Sequence, residues 1–162
     1  MVDISRLAGN WYRWERYFGG GESTITHAGS DISFRNADCQ FHLHQNETWW
    51  VLDFVDDRGS RSSGVARFST FGLAEKYLIW DWLTTARSSL SSGALGLDLY
   101  KRGYAPGVEV TDLDGAHIEL RMDEEVAILI SGTATIFSHI MLMSLDELEL
   151  IGREGSAQRR GS

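Results

Sequence analysis

Two aspartates that lie within apolar segments are the residues of this chain best suited to acid–base chemistry. Asp53 and Asp81 each have apolar residues two positions away on both sides. A carboxyl group that faces an apolar cavity loses hydration, which raises its pKa and suits it to general acid or base work. We therefore predict both as catalytic residues, with pairing to a nearby arginine as the structural alternative. Tyr77 and His139 are further candidates, because a phenol or an imidazole in a cavity polarises a carbonyl or shuttles a proton.

A His-x-His pair is the second motif with chemical potential. His42 and His44 share one face of a predicted strand, and two imidazoles at this spacing can hold one metal ion. Glu47 follows three residues later, and the segment resembles the first metal motif of the cupins, which implies a metalloenzyme. The alternative is the polar outer face of an amphipathic strand. We favour that alternative and expect neither a metal nor an organic cofactor.

Aromatic side chains are expected to line a pocket for a small hydrophobic or aromatic molecule. The chain has 6 Trp, 5 Tyr and 7 Phe among 162 residues. Such rings pack protein cores, and they also line pockets for planar or conjugated ligands. The residues expected to form the pocket wall are Trp49, Trp50, Trp80, Trp82, Tyr12, Trp14, Phe137 and Met141.

Charge and composition exclude several classes of function. A net charge of −8 argues against a nucleic-acid-binding surface. Cys39 is the single cysteine, so the chain forms no internal disulfide and a reducing compartment fits. The N-terminus lacks the pattern of a signal peptide, and residues 126–130, the longest apolar run, are too few to cross a membrane. We therefore expect a cytoplasmic protein without membrane insertion.

The elements that must position these residues are predicted to be short antiparallel strands. Apolar or alternating runs follow one another with turn signals between them, such as Asp114-Gly115, and leave no room for the crossover helices of a parallel sheet. The predicted strands are residues 10–18, 23–26, 31–35, 40–44, 47–55, 61–70, 76–83, 94–101, 108–111, 117–122, 125–130, 135–143 and 147–151. Residues 84–93 are predicted to be a short helix or a flexible loop, which serves as a lid or as an ordinary connection. We expect one domain over residues 1–151 and a disordered tail over 152–162.

Two predicted strands are apolar on both faces and need cover on both sides. In residues 47–55 and 77–83, apolar side chains occupy odd and even positions alike. One face of each strand is expected to line a barrel interior. The other face needs either a second copy of the protein or a local covering segment, so a homodimer is one expectation.

The two ends of the chain resemble the calycin superfamily of lipocalins, fatty-acid-binding proteins and avidins. Gly9-Asn10-Trp11, preceded by Leu7, is similar to the start of their first strand, and residues 146–150 followed by Arg153 look like their last strand. The resemblance implies an all-β fold, a single antiparallel up-and-down β-barrel with an internal ligand cavity. It also implies that Trp11 closes one end of the barrel and that Arg153 packs across its ring in a cation–π contact.

Three functional hypotheses follow from these patterns. The first is a cofactor-independent barrel enzyme that acts on a small, largely apolar or conjugated molecule by a non-redox step such as cyclisation, isomerisation or elimination. The second is a non-catalytic intracellular carrier with the same pocket. The third is a cupin-like metalloenzyme built on His42, His44 and Glu47.

Overall fold

An antiparallel sheet of eight strands forms the centre of the molecule. The computed structural model describes residues 2–19, 21–89 and 96–160. The strands are β1 (Thr24–Ala28), β2 (Asp31–Arg35), β3 (Gln40–Asn46), β4 (Trp49–Val55), β5 (Arg61–Phe68), β6 (Glu109–Asp112), β7 (His117–Met122) and β8 (Glu125–Ile130). Their order in the sheet is β1-β2-β3-β4-β5-β8-β7-β6. A meander of five strands and a meander of three therefore join where β5 pairs with β8, and β1 and β6 are the two edges.

Five α-helices accompany the sheet. They are α1 (Ser5–Trp14), α2 (Phe71–Ser89), α3 (Leu97–Lys101), α4 (Ser131–Ile140) and α5 (Leu145–Arg160), and a 3₁₀ helix (Glu15–Tyr17) follows α1. Helices α2 and α3 fill the connection between the two meanders. None of the helices in the described ranges is long and apolar enough to cross a membrane.

Strand alternation gives the sheet one apolar face, and the helices cover that face. In β2 and β3 the buried residues alternate with more exposed ones, as expected when a sheet is packed on one side only. Phe34 of β2, Phe41 of β3 and Phe54 of β4 are register partners and so share this inner face. Further along the sheet, the ring of Phe68 contacts Tyr77 of α2 and Phe137 of α4.

Four aromatic rings join the helices to the sheet, and we call them the tryptophan cluster: Trp11, Phe34, Phe41 and Trp82. The ring centre of Trp82 lies 5.0 Å from Phe34, 5.1 Å from Trp11 and 5.8 Å from Phe41. All four side chains are buried. The indole N–H of Trp82 has no hydrogen-bond partner within the described part of the chain, so ring shape rather than polar bonding sets its position.

The antiparallel sheet agrees with the sequence analysis, but the prediction of an all-β chain is wrong for five segments. Residues 10–14, 76–83, 97–101, 135–140 and 147–151 are helical. In α1, for example, Leu7, Trp11 and Trp14 are buried at intervals of three and four, which is the helical period. With these segments removed from the sheet, its two edge strands do not pair with each other, and the expected closed barrel is not confirmed.

The segments that resembled calycin strands belong to helices. Gly9-Asn10-Trp11 lies inside α1, and Trp11 packs in the core rather than closing the end of a barrel. Residues 146–150 and Arg153 lie in α5. The residue of α5 that faces an indole is Gly152, where an added Cβ would come within 2.7 Å of the Trp14 ring.

Helix α5 is bound to α1 by a charged network. Arg6 forms ion pairs with Asp146 and Glu149, and the Asn10 side chain donates a hydrogen bond of 2.9 Å to Glu149. The helix continues to Arg160, so it extends through residues 152–160, for which we expected a disordered tail.

Two further expectations concern the connection after α2. Residues 84–89, expected to begin a short helix or a flexible loop, are the last turns of the longer helix α2, while residues 90–95 lie outside the described ranges. Of the predicted strand 94–101, residues 97–101 form the short helix α3.

We predict that the fold depends on Trp82. Trp82→Ala should lower the free energy of unfolding by about 3–5 kcal/mol, because it leaves a cavity where α1, α2 and the sheet meet. The matched control is Tyr12→Ala, since this aromatic ring of α1 is 51% exposed and its loss should cost less than about 1 kcal/mol. Urea unfolding of both variants checks the prediction, and equal losses would contradict it.

Candidate functional site

A cleft between helix α2 and the inner face of the sheet is the first candidate site, and we call it the α2 cleft. Its volume is about 550 Å³. It is lined by Phe18, Asp38, Cys39, Phe41, Leu52, Phe54, Asp56, Asp57, Val65, Tyr77, Asp81 and Thr85. The walls are therefore mainly apolar and aromatic, and four of the lining residues are aspartates.

Helical spacing brings three polar side chains of α2 to the cleft. Tyr77, Asp81 and Thr85 follow one another at intervals of four residues, so they lie on one face of the helix. Opposite them, the rings of Phe41 and Phe54 pack 5.1 Å apart on neighbouring strands. An ionisable group is thus directed towards an aromatic wall.

Asp81 is the chemically unusual residue of the cleft. Its carboxylate has no hydrogen bond or ion pair within the described ranges, whereas its backbone carbonyl accepts hydrogen bonds from the hydroxyls of Thr84 and Thr85. Burial raises the pKa of Asp81 to about 6, because the charged form loses water and gains no cation in return. Asp81 is only partly buried, so a ligand in the cleft can still reach its carboxylate.

Two other titratable groups of the cleft remain protonated at neutral pH. Burial, with a smaller contribution from Asp81, raises the pKa of the Tyr77 phenol. Burial, followed by the charge of Asp38, raises the pKa of the Cys39 thiol to about 11. Cys39 is therefore a neutral thiol and a poor nucleophile, since only the thiolate is reactive.

The mouth of the cleft carries three further aspartates. Asp56 has a structural part, because its carboxylate accepts hydrogen bonds of 2.9 Å from the backbone amides of Arg58 and Ser60. Asp38 and Asp57 are exposed, and their carboxylates have no hydrogen-bond or ion-pair partner among the described residues. The entrance is consequently negative, with two carboxylates free to pair with a ligand.

The outer face of the sheet holds a separate group that we call the histidine–aspartate cluster: His42, His44 and Asp53. Asp53 is the register partner of His42, and the two imidazole rings stack 4.7 Å apart. Asp53 Oδ2 lies 3.1 Å from Nε2 of His44 and 3.7 Å from Nδ1 of His42. Arg61 donates a hydrogen bond of 3.0 Å to the same oxygen.

Asp53 differs from Asp81 in being surrounded by donors. Burial acts to raise its pKa, but the Gly64 amide, His44 and Arg61 outweigh burial and hold the pKa of Asp53 below its ordinary value. The carboxylate therefore stays ionised at neutral pH. Asp53 lies on the opposite face of the sheet from the α2 cleft, so the two predicted catalytic aspartates are not brought together.

The remaining acid–base and metal candidates lie apart from the cleft. His139 of α4 donates a hydrogen bond of 2.7 Å from Nε2 to the carbonyl of Gly103. Glu47 is exposed in the β3–β4 turn, where it adopts a φ of 58°, and it is not part of the histidine–aspartate cluster. Tyr77 is the predicted acid–base residue that shares the cleft with Asp81.

The side chains predicted to form a pocket wall are distributed among other environments. Four belong to the buried core, namely Trp14, Trp82, Phe137 and Met141. Trp50 is buried against Phe71, Trp49 is half-buried and Tyr12 is exposed. Trp80 lines a smaller cavity of about 190 Å³ between α2 and α4, where Tyr77, Asp81 and Phe137 also contribute.

The sequence analysis missed the acidic mouth, although a signal was present. In a meander, the β2–β3 and β4–β5 turns lie at the same end of the sheet. Asp38 belongs to the first of these turns and Asp56-Asp57 to the second. With the strands correctly assigned, the alternation of turns between the two ends of the sheet would have predicted that these carboxylates lie at the same end.

Comparison with known proteins gives one family and one solved structure. The model of a family described as immunity protein 61 matches residues 19–150. No curated protein matches the chain. The solved structure of Rv3902c from M. tuberculosis aligns with a TM-score of 0.69 and 16% sequence identity, over 92% of this chain and 90% of that one. At this identity the likeness concerns the fold alone.

We predict that Asp81 lowers stability at neutral pH. Because its pKa is raised in the folded protein, protonation favours folding below about pH 4, and this contribution is lost as the pH rises through about 6. Asp81→Asn should therefore be more stable than the parent at pH 7, by about 1–3 kcal/mol, and the difference should shrink towards pH 4.

Urea unfolding between about pH 4 and pH 8 measures this difference, with Asp57→Asn at the exposed mouth as the control. Glu75, whose pKa burial raises to about 7, titrates in parent and variant alike and cancels in the comparison. A difference between Asp81→Asn and the parent that does not change with pH would contradict the assignment.

Proposed function

We propose, from the premise that this chain belongs to the immunity protein 61 family, that it binds a protein toxin and thereby blocks the toxin's activity. The observation that carries the proposal is the family match over residues 19–150, which includes the whole sheet and every lining residue of the α2 cleft except Phe18. Pairs of a nuclease toxin and its immunity protein are among the tightest complexes known, so binding alone is sufficient for inhibition. The proposed partner is accordingly a protein.

The α2 cleft is the part of the surface that we assign to the toxin. Its mouth carries Asp38 and Asp57 without partners, and the chain has a net charge of −8, which favours a basic surface on the toxin. A volume of about 550 Å³ leaves room for a long side chain, and Phe41 and Phe54 form part of the wall. Arginine and lysine combine an apolar stem with a charged end, and such a side chain fits this arrangement.

Asp81 would be the partner of that inserted cation. In the free protein its carboxylate is desolvated and unpaired, which disfavours the charged form. A guanidinium or ammonium group of the toxin would supply the missing charge and hydrogen bonds, so the same carboxylate contributes favourably only in the complex. The carboxylates at the mouth act at longer range and guide the approach of the toxin.

We predict that charge at the mouth sets the rate of association. Asp38→Lys and Asp57→Lys should each lower the association rate constant for the toxin by about tenfold at low salt, and the effect should fade as the ionic strength rises. The control is Glu109→Lys, which makes the same charge change at an exposed position on edge strand β6. Stopped-flow binding at several salt concentrations gives the rates, and an equal effect of Glu109→Lys would contradict the assignment of the cleft.

We predict that Asp81 sets the rate of dissociation. Removing one partner of a buried charge pair costs about 2–5 kcal/mol, mostly through faster dissociation. Asp81→Asn should therefore release the toxin at least about thirtyfold faster, with the association rate little changed. Unaltered dissociation from Asp81→Asn would remove Asp81 from the interface while leaving toxin binding itself intact.

The proposal as a whole is tested by co-expression with candidate protein toxins from the organism that encodes this chain. The parent chain should restore growth and inhibit the purified toxin at a ratio of one to one. Growth arrest in the presence of folded, abundant parent chain would refute the immunity function.

The second candidate function is binding or conversion of a small molecule in the same cleft. A volume of about 550 Å³ is in the range of small-ligand sites, and Asp81 and Tyr77 bring polar groups to a largely apolar wall. A cofactor-independent cyclase, isomerase or lyase, or a carrier, would use the same residues. Native mass spectrometry of protein from its own host tests this candidate. A retained organic molecule that Asp81→Asn releases would support it, and an empty protein that binds the toxin tightly would favour the first proposal.

A further inference from the structure

The histidine–aspartate cluster is not used by the proposed function, since it lies on the outer face of the sheet. Its three residues come from neighbouring positions of β3 and β4 and combine two imidazoles with one carboxylate. We propose that His42, His44 and Asp53 form a three-ligand site for Zn²⁺, with a fourth coordination position open to solvent. The proposal does not depend on whether the protein binds a toxin.

The first support is the convergence of the ligand atoms. One nitrogen of each imidazole and one oxygen of Asp53 lie within 4.8 Å of one another. Zinc binds nitrogen and oxygen at about 2.0–2.2 Å, so neighbouring ligand atoms of a tetrahedral site are about 3.3 Å apart. The separations from Asp53 Oδ2, 3.1 Å to His44 and 3.7 Å to His42, lie on either side of that value. Small side-chain adjustments are thus enough to close the site around an ion.

The second support is the orientation of His42. Its Nδ1 faces Asp53, while its Nε2 forms a hydrogen bond of 2.9 Å with the carboxylate of Asp31 on the adjacent strand β2. Histidines that ligate a metal commonly donate their other ring N–H to a carboxylate, which fixes the ring and makes the ligating nitrogen more basic. Asp31 therefore has the position and chemistry of a supporting residue for a metal-bound histidine.

The third support is the way in which Asp53 is held. Its Oδ1 accepts a hydrogen bond of 2.7 Å from the amide of Gly64, which leaves Oδ2 to face the two histidines. The amide is available because the register of β4 and β5 shifts beyond Leu52, and Gly64 has a φ of +61°. A backbone irregularity thus orients one carboxylate oxygen towards the proposed ion.

The Arg61 guanidinium contacts two of the atoms that would bind zinc. It lies 3.0 Å from Asp53 Oδ2 and 3.4 Å from His42 Nδ1, so it neutralises the atoms that would bind zinc. The Arg61 side chain is 44% exposed and can turn into solvent when an ion enters. Zinc and the guanidinium therefore compete for the same oxygen, and the removal of Arg61 should favour the metal.

The chain offers a matched control for the whole arrangement. His117 forms an ion pair of 2.9 Å with Asp114 of the β6–β7 turn. This pair has the same imidazole–carboxylate contact as the histidine–aspartate cluster, but it lacks a second histidine. A single histidine and an exposed carboxylate do not make a tight zinc site. Loss of His117 should leave zinc binding unchanged.

The experiment is a titration of tag-free full-length protein with Zn²⁺, followed by calorimetry and by thermal unfolding. The parent chain should bind one equivalent, and its Tm should rise by about 5–10 °C when free zinc exceeds Kd a hundredfold. His44→Gln should abolish the binding, and Asp31→Asn should weaken it by about 10–100-fold. Arg61→Met should strengthen it, while His117→Gln should behave as the parent.

Other outcomes would overturn the proposal. These are the absence of zinc uptake by the parent, uptake that survives in His44→Gln, or half an equivalent per chain, which would indicate an ion shared between two molecules. Cobalt substitution gives a readout independent of folding, because tetrahedral Co²⁺ absorbs strongly in the visible range and six-coordinate Co²⁺ weakly. Weak absorption would indicate a six-coordinate surface ion that keeps most of its water ligands, and would so refute the three-ligand site.

Discussion

The need to cover one apolar face of an open sheet governs this structure, and Trp82 is the side chain through which the cover is attached. Its ring packs against Phe34 and Phe41 of the sheet and against Trp11 of α1. Asp81 precedes Trp82 in α2, about 100° away around the helix axis. Seating the indole in the core therefore directs the neighbouring carboxylate into the α2 cleft. The buried indole of Trp82 and the desolvated carboxylate of Asp81 are thus consequences of one helix orientation.

The two faces of the sheet differ in the partners that they offer to a buried carboxylate. Towards the inner face, Asp81 has no hydrogen-bond or ion-pair partner among the described residues, and burial of its charge raises its pKa. On the outer face, Asp53 is contacted by an amide, a guanidinium and imidazoles, and its pKa is lowered. An unsatisfied anion attracts a cation from outside the protein, whereas a satisfied one holds its neighbours in fixed positions. The first arrangement suits recognition of a partner, and the second suits a preorganised site.

The sequence is informative where alternation is clear and ambiguous where apolar residues are continuous. Strands β2 and β7, in which polar and apolar residues alternate, agree with the sequence analysis at both ends. The continuous apolar strand β8 also has the predicted bounds, because its length and its short turn from β7 favour a strand. Helix α2 was predicted in part as a strand, since its apolar residues surround the helix and a short apolar run does not distinguish the two structures. The antiparallel sheet was thus predictable, while its helical cover was not.

The site residues were predictable only in so far as they depend on local sequence. Asp53, Asp81 and the His42–His44 pair stand out from their neighbours along the chain. The place of Asp53 beside the two histidines is not visible in local sequence, because the pairing of β3 with β4 brings Asp53 rather than Glu47 to them. Likewise, the carboxylates at the cleft mouth meet through the common direction of two hairpin turns. Register and topology carry this information, and single-sequence patterns do not contain it.

An open sheet also has two free edges, and β6 shows how one of them is kept from unwanted pairing. All four residues of Glu109–Asp112 are exposed, and a carboxylate stands at each end of the strand. A second molecule that aligned the same edge in antiparallel fashion would bring Glu109 of one copy towards Asp112 of the other. Like charges in register oppose such strand addition, which is how natural proteins protect exposed edges from polymerisation. The acidity of β6 therefore also favours the colloidal stability of a molecule whose sheet is open.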